Sequence, residues 1–144
     1  MIEQDTIRLL RECDAGVKMG ISSIEDVLPH IQSKNLEAYL TKCKDEHAAL
    51  DREIQQLLDR YHDDGKEPNP MAKGMSWMKT NMKLAWEDSD ETIADLMKDG
   101  CNMGVKSLNK YLNEYEAAEE CVKDIAKRLI HQEERLAVDI RGYL

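Results

Sequence analysis

Residues 16–24 read GVKMGISSI, and residues 100–108 read GCNMGVKSL. Placed over one another at an offset of 84 (100 minus 16), the segments share both glycines, the methionine and the second serine, and their apolar ends are conservative replacements. The same offset sets Leu10 on Ala94, Val17 on Cys101, Ile21 on Val105, Ile24 on Leu108 and Leu28 on Leu112. A repeat of this kind predicts two copies of one supersecondary unit packed together. Glycine in a helix interior costs up to about 1 kcal/mol relative to alanine. The paired glycines therefore predict a close approach of the two helices that carry them, near a pseudo-twofold axis.

Composition fixes the class of those units. In 144 residues Gly and Pro are scarce and Phe is absent, while strong helix formers abound, so the chain reads as one all-α domain over 1–144. A formal net charge of −9 argues against nucleic acid and anionic membranes, whose affinity rests on lysine and arginine. No apolar run is long enough to cross a bilayer, and MIEQDTIRLLREC lacks the features of a secretion signal, so a cytoplasmic protein is expected. Cys13, Cys43, Cys101 and Cys121 have no metal-finger spacing and read as reduced, half-buried core residues rather than disulfides.

Apolar residues at Ile7, Leu10, Val17, Ile21, Ile24 and Leu28 mark a first amphipathic helix over 6–28, which Pro29 ends. SKN at 33–35 supplies caps for a second helix to Tyr61, with a seam of Leu36, Leu40, Cys43, His47, Leu50, Ile54, Leu57 and Tyr61. HDDGKEPNP is the strongest loop signal, and a short helix from about Pro70 to Trp86 follows, striped by Met71, Met75, Met78 and Met82. Asp88 with Glu91 fits a capping box for a third helix, over about 91–115. Its seam reads Ala94, Lys98, Cys101, Val105, Leu108, Leu112 and Tyr115. A fourth helix, over about 118–143, uses Val122, Ile125, Leu129, Glu133, Leu136 and Ile140. NEYEAAEE contains no helix breaker, so a single helix about 75 Å long, as in a swapped dimer, competes with a turn near 113–118, the reading adopted here.

The hairpins at about 3–62 and 91–143, the crossover at about 63–90, the repeated Gly-centred segment and the TNMKLAW stretch together resemble an uncharacterised bacterial family of ferritin-like four-helix bundles related to rubrerythrins. The resemblance covers the whole chain. It implies two antiparallel hairpins joined by a long crossover containing a short helix. It also implies a place for metal, because di-iron members carry a glutamate on one helix of each hairpin and Glu-x-x-His on the other.

Tested against that pattern, the seam offers Asp14, His47 and Glu133 as candidate metal residues. Lys98 stands where the second carboxylate belongs, and Lys44 replaces the Glu three residues before His47, so a dinuclear centre is not expected. His131 is about 200° around the helix from Glu133 and cannot share its face. One Fe or Mn ion, or a mononuclear zinc, is the most this set could hold. The competing expectation is a buried polar cluster in which Asp14 pairs with Lys98 and His47 bonds Glu133.

Cys43 and His47 form an i,i+4 pair, read either as a thiol with lowered pKa or as two core-facing residues, the latter preferred. The methionine stripe reads as core filler, and His62 as surface charge. Two functional classes follow. The preferred one is a non-enzymatic bundle with a degenerate metal centre, acting through protein interaction or in stress response, with a homodimer compatible with the plan. The alternative is a rubrerythrin-like oxidoreductase or metal-handling protein.

Overall fold

The computed structural model describes residues 2–68 and 89–144, and among them every regular element is helical. Four α-helices, α1 (Ile2–Val27), α2 (Lys34–Arg60), α3 (Asp90–Glu114) and α4 (Glu120–Asp139), are supplemented by 3-10 turns at Leu28–His30 and Ile140–Tyr143. The expected crossover helix, its methionine stripe and its tryptophans lie outside the described residues.

The helix ends follow from local chemistry. Pro29 sits in the 3-10 turn after α1, and Ser33 caps α2 by accepting the Leu36 N–H at 3.2 Å. The cap of α3 is Ser89, whose Oγ accepts the Thr92 N–H at 3.2 Å, not the Asp88–Glu91 box expected from sequence. The correction is one residue: a short hydroxyl at Ser89 reaches the orphan N–H and also lies 3.0 Å from the Thr92 hydroxyl. At the far end of α2, His62 adopts φ 55°. The amides of His62 and Asp63 bond back to the carbonyls of Asp59 and Leu58, a Schellman closure in which a histidine takes the place usually held by glycine.

α3 and α4 are separate helices, so the single fifty-residue helix does not form. The break is held by the start of α1: Thr6 Oγ1 accepts the Glu119 N–H at 2.8 Å and Asp5 accepts the Ala117 N–H at 3.2 Å. At the opposite end, the Asp90 carboxylate accepts the amides of Gln32 and Ser33 at 2.8 and 2.9 Å. These anchors set the directions. α1 and α4 run one way and α2 and α3 the other; α2 finishes where α1 begins, and α3 starts at the other end.

The apolar seams bury two clusters. One joins Leu9, Leu10, Cys13 and Val17 to Leu50, Ile54, Leu58, Leu108 and the first half of α4. The other joins Ile24 and Val27 to Leu36, Leu40, Cys43, Ile93, Met97, Cys101, Leu136 and Ile140. Several seam positions differ from the sequence reading, beginning with Leu9, which is fully buried near the start of α1 where Ile7 was expected. Leu58 rather than Leu57 is the fully buried residue near the end of α2, and Ile93 and Met97 enter the core in place of Lys98. A strict 3-4 spacing drifts against a 3.6-residue turn, so the ends of a long seam rotate away.

α2 and α4 are joined outside the core by a bidentate Arg128–Glu53 pair, by Arg135–Glu46 and by Tyr39 donating to Asp139 at 2.7 Å. Such exposed contacts contribute about 0–1 kcal/mol each, so the two buried clusters dominate stability. The capping assignments are testable. Ser33→Ala and Ser89→Ala are each expected to lower unfolding free energy by about 1 kcal/mol in urea denaturation. A Ser89→Ala variant as stable as wild type would return the cap to Asp88.

Candidate functional site

Between the two apolar clusters lies a polar contact that links α2 to α4 inside the bundle. His47 is 1% exposed, Glu133 is 9% exposed, and His47 Nε2 stands 2.6 Å from Glu133 Oε1. The other ring nitrogen, Nδ1, lies 2.9 Å from the Cys43 carbonyl oxygen one turn earlier on α2. Both partners are acceptors. A neutral imidazole has a single N–H to donate, so satisfying both favours the imidazolium form. Burial pushes the His47 pKa down, but the hydrogen bond and charge of Glu133, helped by the Cys43 carbonyl, outweigh it and leave the pKa above its ordinary value.

Glycine makes room for this pair. A Cβ on Gly20 would lie 2.8 Å from His47 Cδ2, 3.0 Å from Nε2 and 3.4 Å from Glu133 Oε1, so α1 passes the imidazole only because residue 20 has no side chain. Gly104 of α3 faces the other carboxylate oxygen, with its would-be Cβ 3.8 Å from Oε2. α1 and α3 do pack against one another, as the sequence leads one to expect, but their glycines do not meet the facing backbone. Gly100 has nothing within 4 Å, Gly16 makes ordinary contacts with Leu129 and Leu108, and the two glycines that meet the polar pair admit side chains from α2 and α4.

Asp14, fully buried, belongs to a different cluster. Its Oδ1 accepts Gln55 Nε2 at 2.8 Å, and its Oδ2 accepts Lys18 Nζ at 3.2 Å and the Lys66 backbone N–H at 2.9 Å. The expected Asp14–Lys98 pair is absent; Lys98 Nζ instead donates to the Ala137 carbonyl at 3.4 Å. The reason is the antiparallel run of α1 and α3. Positions matched by the repeat lie at opposite ends of the bundle unless they are near its middle, so Asp14 and Lys98 are counterparts without being neighbours.

Of the three candidate metal residues the structure therefore brings together two, His47 and Glu133, and leaves Asp14 with the chain that follows α2. Among the described residues no group of three or more His, Cys, Asp or Glu is placed to hold a metal ion. Lys44 pairs loosely with Glu25 at 3.9 Å, and His131 is exposed. The low-pKa reading of Cys43 is also corrected. Burial raises this thiol, with the Tyr39 hydroxyl opposing and the Glu46 charge adding, so its position beside His47 does not activate it. Burial pushes Cys13 up to about 12 and, with Glu133, raises Cys101, while Cys121 is exposed, contrary to the expectation of four core thiols.

Sequence reasoning missed Gln55, Lys18 and the Lys66 amide as partners of Asp14. The available signal was HDDGKEP directly after α2, an acid-Gly-Lys-acid turn able to fold onto the charged face of α1. Comparison with protein-family models, curated proteins and solved structures gave no match.

Because the folded pKa of His47 is raised above the unfolded value near 6.5, its stabilisation is complete below that value and is lost as pH rises through the folded pKa. Urea midpoints of wild type are expected to fall between pH 6 and pH 8 by more than those of His47→Gln. Parallel pH profiles in the two proteins would show that folding does not raise the His47 pKa.

Proposed function

We propose that this chain is a non-enzymatic, ferritin-like helical bundle with a degenerate metal centre, acting through protein interaction. Support for the ferritin-like reading comes from the helix directions, since a first hairpin followed by a second that starts at the opposite end is the connectivity of that group. The repeat adds to it: Gly20 and Gly104, matched at the offset of 84, both face the His47–Glu133 pair or its carboxylate.

The observation that carries the degenerate centre is the 2.6 Å contact itself. An iron or zinc ion needs its donors about 2.0–2.2 Å away on separate sides, with three or more of them converging. Here the imidazole and the carboxylate bond each other directly, and Asp14 is turned to Gln55, Lys18 and the Lys66 amide. The residues present do not fit a di-iron group. A surface depression lined by Lys34, Glu37, Ala38, Thr41, Lys42 and Asp45, all from α2, offers no convergent catalytic groups from different elements. That leaves an interacting surface as the better reading.

Protein purified without a polyhistidine tag and loaded with ferrous iron in air is expected to show no oxo-bridged ferric band, and to retain well under one metal per chain after desalting. Near-stoichiometric metal that disappears in His47→Ala would overturn the proposal in favour of a metal-handling protein.

A further inference from the structure

Residues 63–67, DDGKE, leave the end of α2 and turn back along α1, where Asp63, Lys66 and Glu67 each meet an opposite charge. Asp63 takes the Arg11 guanidinium through Nε at 3.0 Å and Nη2 at 2.5 Å, Lys66 Nζ reaches Glu12 at 2.6 Å, and Glu67 meets Lys18 Nζ at 3.2 Å. These three pairs involve exposed side chains and are open to screening by salt. The fourth contact, Lys66 N–H to Asp14 Oδ2, ends on a fully buried carboxylate. Gly65, at φ 80°, lies directly over it: a Cβ there would collide with Asp14 Oδ2 and press on Leu58.

Asp14 does not depend on this segment to be satisfied. Gln55 holds one oxygen and Lys18 the other, and both residues belong to bundle helices. Lifting 63–67 removes one of three donors and leaves the carboxylate paired, so neither position strands a buried charge. A carboxylate whose donors all came from the segment would instead lock it shut. The Schellman closure at His62 ends α2 cleanly and gives the segment a defined pivot.

We infer that residues 63–67 form a strap that opens and closes as a unit while the four-helix bundle stays folded, with Asp14 as its latch. The open position uncovers the Asp14 carboxylate, the Lys18 ammonium and the Gln55 amide on the face shared by α1 and α2.

Native-state hydrogen exchange of the full chain tests this. The Lys66 amide is expected to exchange through an opening that is insensitive to low urea, about 100-fold or more faster than the amides of Ile54 and Leu129. Raising NaCl from 0.05 to 1 M should speed Lys66 exchange and leave those core amides unchanged. Gly65→Ala, whose Cβ evicts the strap from Asp14 while changing no residue of the helices, is expected to abolish Lys66 protection while core amides change by less than about threefold. Exchange of Lys66 with the same urea dependence as the core amides would overturn the inference. Parallel loss of core protection in Gly65→Ala would do the same.

Discussion

The hydrogen bond between His47 and Glu133 is the constraint around which the rest of the bundle is arranged. Two polar groups placed between apolar clusters would be costly unless each satisfied the other, and here they do so at 2.6 Å with the Cys43 carbonyl completing the imidazole. The contact fixes more than its own energy. It sets the register of α2 against α4, because sliding either helix by one turn would leave an ionisable group facing leucine. It also dictates glycine at residue 20, since α1 could not otherwise pass the ring.

From this centre the bundle closes outward by different means at its two ends. At one end the Asp90 carboxylate gathers the amides that begin α2; at the other, Thr6 and Asp5 gather those that begin α4. Asp14 belongs to this second end. It holds the chain leaving α2 against α1 and is neutralised from three directions, a structural duty that accounts for an acid on an otherwise apolar seam. No helix among the described residues is long and apolar enough to cross a membrane, in keeping with amphipathic elements that spend their apolar faces on one another.

The four long helices were legible because their apolar periodicity is strong and Pro29, Ser33 and the HDDGKEP loop punctuate it. The His47–Glu133 contact was legible as well, since both residues sit on seams between leucines. The partner of Asp14 was not. Sequence alignment of the repeat suggested Lys98, but a symmetry that reverses helix direction sends matched positions to opposite ends, and no one-dimensional pattern carries that sign. The role of the glycines was hidden for a related reason: spacing shows that a face lacks side chains, not whether a backbone or an imidazole will fill the space. The Ser89 cap was missed because Asp88 and Ser89 are both competent caps and only the path of the entering chain chooses between them.

The most direct measurement is a double-mutant cycle on the central pair in the presence of a chelator, using His47→Leu and Glu133→Leu and urea unfolding at pH 6.5. If the pair satisfies itself without an ion, each single substitution strands a buried polar partner and costs about 3–5 kcal/mol, while the double substitution recovers a large part of that loss. The coupling should then reach at least about 2 kcal/mol. Additive losses, with a double variant as weak as the sum of the singles, would contradict the account.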